Sequence, residues 1–206
     1  VRKARASRQQ PARDETVIAG WNGMMVSALA RVGDALDDPQ LIARATALAG
    51  AIEGSLFDKD ELARGRVGDR RFGSAYSEDY IYLARAYLDL HRAADSQATL
   101  DKASALQARA DERFFDSGRG IYHLTPTRAI TELPLELWVI NDGDLPSPSG
   151  IAALNLLELS ELRDAPEMME RASLILRGMS PDVGSSPNTC PTAVAALIRG
   201  SQKGKE

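Results

Sequence analysis

Met24-Met25-Val26-Ser27-Ala28-Leu29-Ala30, a turn at Asp37-Asp38-Pro39, then Ala43-Arg44-Ala45-Thr46-Ala47-Leu48: this stretch reads as two helices folded back on each other. It decides the fold because it recurs. The first pair spans about Trp21 to Leu36 and Pro39 to Leu56. A second spans about Glu78 to Ala93 and Gln97 to Phe114, and a third about Pro148 to Leu162 and Pro166 to Met179. The joining turns are Asp37-Asp38-Pro39, Asp95-Ser96-Gln97 and Asp164-Ala165-Pro166. Asp or Ser there can accept the free N–H groups that open the second helix. Pro39 and Pro166 fall in a first helical turn, where no N–H is required. Repetition of one supersecondary unit is the mark of a repeat architecture.

The second helices also align with one another. Ala43-Arg44-Ala45-Thr46-Ala47-Leu48 matches Asp101-Lys102-Ala103-Ser104-Ala105-Leu106 and Glu170-Arg171-Ala172-Ser173-Leu174-Ile175. The first helices are more apolar, as in Ile151-Ala152-Ala153-Leu154-Asn155-Leu156-Leu157. A helix apolar most of the way round is buried on most sides. The first helix of each pair is therefore expected inside and the second outside, with a fourth inner helix from near Thr189 to about Arg199. The fold class is all-α: antiparallel helical hairpins forming a partial (α/α)6 toroid, about three and a half hairpins long. Residues 1–206 read as one domain, with 1–15 and 201–206 flexible. A partial ring leaves inner-helix apolar surface uncovered, which monomers rarely tolerate. The chain is thus expected to belong to a larger polypeptide or to self-associate, and its start at Val1 rather than Met fits a fragment or processed chain.

Composition narrows the function classes. The 206 residues are 44% hydrophobic and 26% charged, as in a globular protein. A net charge of -4 argues against nucleic acid. The basic run around Arg2, Lys3, Arg5 and Arg8 lacks interleaved aromatics and reads as a helix end. No apolar run is long enough to span a bilayer, and no signal-peptide pattern is present. The single Cys190 excludes an internal disulfide or a CxxC site and fits a reducing, cytoplasmic setting. No G-x-S-x-G, P-loop or H-E-x-x-H motif occurs, and no spacing supports a metal or cofactor.

Two long connections, Asp58 to Ser77 and Asp116 to Ser147, lead to the same end of the inner helices. Three clusters sit at that mouth: Gly20-Trp21-Asn22-Gly23, Tyr76-Ser77-Glu78-Asp79-Tyr80, and Asn141-Asp142-Gly143-Asp144 with Pro146-Ser147-Pro148-Ser149-Gly150. Aromatic faces, amides and carboxylates are what a sugar site needs, and two carboxylates ~5–10 Å apart can do acid–base glycoside chemistry. The catalytic candidates are Glu78, Asp79 and Asp144. The substrate-binding candidates are Trp21, Asn22, Tyr80, Tyr122, His123, Asp142 and Ser149. Each has a structural alternative. Acids in a helix's first turn complement its dipole, Ser147-Pro148 reads as an N-cap and first-turn proline, and Asp142-Gly143 is a common turn pair. Trp21 can be a core wedge, and His123 either a proton-transfer group or a plain loop residue.

The same motifs resemble a known family. Pro11-Ala12-Arg13-Asp14-Glu15 with Gly20-Trp21-Asn22-Gly23-Met24-Met25 is similar to the Pro-x-x-Asp-Asp-Lys…Trp-Asn-Gly-Leu-Met signature of the YyaL/spermatogenesis-associated protein 20 family. Glu78-Asp79-Tyr80, Phe115-Asp116…Gly118-Arg119-Gly120-Ile121-Tyr122 and Asp144…Pro148-Ser149-Gly150 match its other motifs in order. The family's Lys is Thr16 here, and the Asn after its Pro-Ser-Gly is Ile151. The resemblance implies a six-hairpin toroid, and a thioredoxin-like domain ahead of it that this chain lacks. It also implies a barrel similar to those of N-acylglucosamine 2-epimerases and glycoside hydrolases. Two functions are expected as alternatives. One is a carbohydrate-binding or carbohydrate-active toroid that takes a sugar ligand. The other is a non-catalytic module that supports a thioredoxin-like domain or binds a protein partner.

Overall fold

The computed structural model describes residues 2–6, 8–126 and 137–203, the side chains of 2, 3 and 203 excepted. Of the ends expected to be flexible, residues 1, 7 and 204–206 lie outside the described residues, and Arg2–Ala6 forms a short helix, α1.

The hairpins fall where the periodicity puts them. They are α2 (Ala19–Ala35) with α3 (Pro39–Leu56), α4 (Ser77–Ala94) with α5 (Gln97–Phe114), and α6 (Pro148–Arg163) with α7 (Pro166–Ser185). The half hairpin is α8 (Pro191–Lys203). Helices α2, α4, α6 and α8 neighbour one another in that order, each of the first three backed by its own partner. Helix α4 is buried along almost its whole length, from Ser77 to Leu90 with only Arg85 partly exposed. Each large apolar side chain it buries, such as Ile81, Leu83 or Leu88, contributes about 2 kcal/mol. The outer helices bury one face only, as α3 does through Ala45, Ala49, Ile52 and Leu56.

The joining turns work differently from one another. Asp38 caps α3 by accepting from the N–H groups of Gln40 and Leu41. Ser96 makes no side-chain cap on α5, and the residue opening α7 is Ala165. Instead Asp95 and Asp164 take the left-handed conformation that ends the preceding helix, with φ of 46° and 50°. A short polar side chain tolerates that conformation better than most. Helix α7 also runs past the expected stop at Met179, through Pro181, to Ser185. Proline deprives the Arg177 carbonyl of its usual donor. The Ser180 hydroxyl donates to that carbonyl at 2.7 Å, which keeps the turn intact.

The connection from Asp58 to Ser77, expected as a loop, is a β-hairpin. Strand β3 (Glu61–Val67) pairs antiparallel with β4 (Arg70–Ser74) across the two-residue turn Gly68-Asp69. On its other edge β3 pairs with β1 (Thr16–Ile18) and β2 (Phe57–Asp58). A Cβ on Gly65 would collide with the Val17 carbonyl and the Phe72 ring, so only glycine lets these strands close. In the second connection β5 (Phe115–Asp116) pairs with β6 (Ile121–Tyr122), the β-like run read from the sequence.

The arc has two free flanks. Trp21, Met25 and Val32 on α2, with Leu36 just past its end, lie on one side and are exposed, Leu36 by 69%. On α8, Leu197 and Ile198 are exposed. Among the described residues no helix is long and apolar enough to cross a membrane.

Candidate functional site

The mouth gathers the expected carboxylates, but the backbone and one arginine occupy most of them. Asp79, in the first turn of α4, is fully buried. Its Oδ2 accepts from the Tyr76 N–H at 2.8 Å, and its Oδ1 accepts from the Gly20 N–H of α2 at 2.8 Å. Arg64 of β3 donates to both of its oxygens at 2.8 Å and meets Glu78 at 2.7 Å. Burial pushes the Asp79 carboxyl up, while Arg64 and the N–H groups of Tyr76 and Gly20 oppose it. Glu78 and Asp79 are thus brought together on one guanidinium, which also lies over the Tyr76 ring at 4.5 Å.

Asp142 repeats this arrangement one junction further on. Its Oδ1 accepts from the Ser147 N–H at 2.5 Å and from the Thr192 hydroxyl at 2.6 Å, and its Oδ2 accepts from the Thr192 N–H at 2.7 Å. It therefore serves the starts of both α6 and α8. Those starts sit close because Gly150 leaves no side chain to meet Thr192. Ser147 caps α6, accepting from the Gly150 N–H at 3.4 Å. Asp144 stands apart, exposed and without an ion pair among the described residues.

The other candidates scatter. Trp21 is 55% exposed on the free flank of α2, neither wedged in the core nor in a cavity. Asn22 donates to the Ile18 carbonyl at 2.8 Å. Tyr80 is buried against Phe114, ring centroids 5.8 Å apart. The buried Tyr122 donates through its hydroxyl to Asp111 at 2.5 Å, and its N–H donates to the Ser149 hydroxyl at 3.1 Å. His123 is buried against Trp138, with Nε2 3.6 Å from an Asp116 oxygen. Among the described residues no group of three or more His, Cys, Asp and Glu could hold a metal ion.

A different polar cluster lies on the concave side of the inner helices. A cavity of about 390 Å³ is bounded there by α2, α4, α6 and α8, and none of the sequence candidates lines it. Residues Tyr82, Arg85, Asp89 and Arg92 face it from α4, spaced three and four apart so that they share one face. Arg85 donates to Asp89 at 2.8 and 3.2 Å, and to Glu158 of α6 at 2.9 Å. Arg92 reaches the second Glu158 oxygen at 2.6 Å, and Arg199 of α8 reaches the first at 3.0 Å. Ser27 of α2 donates to Asp89 at 2.5 Å. Burial works against a charged Glu158, but Arg85, with Arg92 and Arg199, outweighs it and holds the pKa at about 2. Met24, Ile151 and Leu154 supply an apolar side to the same cavity. A second depression of about 550 Å³ lies outside the ring between α3 and α5, where Glu53 pairs with Lys102.

Sequence reading missed the concave cluster because Arg85 and Asp89 look like an ordinary i,i+4 surface pair. The available signal was their company. They interrupt Tyr80-Ile81-Tyr82-Leu83-Ala84 and Ala86-Tyr87-Leu88, a helix otherwise apolar on every side. Charges in the middle of such a helix border the concave cavity rather than a broad solvent face.

No family model matches the chain. Among curated proteins, spermatogenesis-associated protein 20 of Homo sapiens is 31% identical over 99% of the chain, and that of Rattus norvegicus 30% over 99%. The chain spans 27% of the length of each. Among solved structures, a GH76 α-mannanase of Bacteroides thetaiotaomicron superposes with a TM-score of 0.71 at 11% identity, covering 97% of this chain and 55% of that one. A sugar epimerase from a ruminal bacterium superposes at 0.67 and 13% identity, covering 86% of this chain and 46% of that one. At such identities the likeness shows the fold, an (α/α)6 toroid of which this chain supplies about half.

Proposed function

Because the chain is related along 99% of its length to part of spermatogenesis-associated protein 20 and has a toroid fold, we propose that it is the carbohydrate-binding portion of such a toroid. The ligand seat is the concave cavity between α4 and α6. The observation that carries this reading is the Asp89–Arg85–Glu158 cluster facing a cavity with apolar walls. Small-molecule sites combine apolar lining with a few fixed polar groups in this way. Carboxylates and guanidinium groups held by one another are poised to exchange hydrogen bonds with sugar hydroxyls. The reading is one of binding rather than turnover. Two facing carboxylates flanking a scissile bond are the requirement for glycosidic acid–base chemistry, whereas Asp89 and Glu158 of this cavity are both bound to Arg85, and Glu78 and Asp79 of the mouth both to Arg64.

Soaking crystals in a mixture of monosaccharides tests it. Density for a sugar ring against Arg85 and Glu158 is the expected result. Density at the mouth, against Glu78 or Asp144, would move the seat there. An empty cavity would favour the second reading, a non-catalytic module that supports a thioredoxin-like domain or binds a protein partner. The exposed stripe of Trp21, Met25 and Val32 on α2, with Leu36 just past its end, is the observation behind that alternative.

A further inference from the structure

The charges around the concave cavity are unequal. Four arginines line it, Arg31, Arg85, Arg92 and Arg199, against two carboxylates, Asp89 and Glu158. Glu161, beside the cavity, pairs with Arg199 at 3.2 Å and leaves the balance still positive. This surplus occurs in a chain whose net charge is -4. The four arginines are not equivalent. Arg85 is largely buried and spends its donors on Asp89 and Glu158. Arg199 is shared between Glu158 and Glu161. Arg92 meets Glu158 while keeping 49% of its side chain exposed. Arg31 of α2 is exposed and has no ion-pair partner among the described residues. The uncommitted positive charge therefore lies with Arg31 and the open part of Arg92. The floor, by contrast, is a settled network of donors and acceptors.

We propose that the sugar seated in this cavity carries an anionic group, a carboxylate or a phosphate, which Arg31 and Arg92 receive while Asp89 and Glu158 accept from its hydroxyls. The proposal rests on the carbohydrate-binding reading above and narrows it to one substrate class. Arginine suits this role because its planar donors match the oxygens of either anion. A neutral sugar would leave the surplus charge of the cavity unanswered. A bare anion has no hydroxyls to exchange for the donors that Asp89 and Glu158 already accept from.

Calorimetric titration of the chain with glucuronate, glucose 6-phosphate, glucose and inorganic phosphate, at low salt, tests this. Glucuronate or glucose 6-phosphate should bind at least about tenfold more tightly than either glucose or phosphate, and added salt should weaken that binding. The stronger of the two identifies the anionic group. Arg31→Gln should remove most of the preference over glucose. Arg44→Gln, which takes one charge from the exposed side of α3, should leave it intact. Circular dichroism of both variants should match the parent, since neither arginine is buried. Glucose binding as tightly as the charged sugars would overturn the anionic inference and leave the carbohydrate reading standing. Phosphate binding as tightly as the charged sugars would overturn it as well, since the sugar ring would then contribute nothing. Binding of none of the four would overturn the inference and the reading beneath it.

Discussion

The mouth of the arc and its concave wall are both rich in carboxylates, yet they use them oppositely. At the mouth, Asp79 and Asp142 face backbone N–H groups at the starts of neighbouring helices. On the wall, Asp89 and Glu158 face only side chains, and those side chains border a cavity. A carboxylate that holds helix ends cannot turn to a ligand without uncapping them. One held by arginines in an open cleft can trade partners without unfolding anything. The comparison teaches that acidic residues gathered at one end of a repeat can hold helix ends together rather than face a cavity.

The contrast can be broken most forcefully at Asp79. Asp79→Ala takes from the half-buried Arg64 the carboxylate it binds through both oxygens, leaving it Glu78, and uncaps two helix starts together. Stripping one member from a buried pair costs about 4 kcal/mol, so urea denaturation should show a large loss of stability. Under the proposed seat on the wall, whatever remains folded should keep the parent's affinity for sugar. Next comes Glu158→Gln, expected to cost about 3 kcal/mol because it leaves Arg85 facing Asp89 alone. This variant should lose sugar binding, and retained binding would abolish the distinction between wall and mouth.

Acid sharpens the same comparison. The Glu158 pKa is depressed to about 2 from an ordinary 4.5. Its contribution is therefore fully present above about pH 4.5 and is lost as pH falls through that value toward 2. Denaturation midpoints measured across pH 6 to 2 should fall more steeply for the parent than for Glu158→Gln. Asp142→Ala, losing cap bonds without a buried cation, should cost about 2 kcal/mol. Asp144→Ala should change stability by less than about 0.5 kcal/mol, as at most exposed positions. A loss of sugar binding in Asp144→Ala would return that residue to the site.

Much of the architecture was legible because helical repeats write themselves in local periodicity. Apolar spacing places α2 to α7 within a residue or two, apart from the end of α7, where the Ser180 hydroxyl compensates for Pro181. The β3–β4 hairpin was not legible. Its burial rests on Leu62 and Gly65, three apart, with arginines at 64 and 66, so no alternation of apolar residues announces a strand. Its one clear signal was Gly68-Asp69, a favoured two-residue turn. The site was less legible still. A carboxylate at a helix start can serve a cap or a ligand, and composition does not distinguish them. What separates Asp79 from Glu158 is partners from other helices, and tertiary packing alone supplies those.

The shared carboxylates also bear on how the chain unfolds. Asp79 joins positions 59 residues apart, and Asp142 joins positions 50 apart. In a linear array each hairpin could otherwise open alone, with stability set by its own contacts and its nearest neighbours. Here the opening of α2 strips a cap from its own start and takes an N–H partner from the buried Asp79 at the base of α4. The departure of α8 does comparable damage at the start of α6. Strong coupling between neighbouring units makes partial melting costly, so amide exchange in α4 and α6 should report one concerted transition rather than a gradual fraying from the ends.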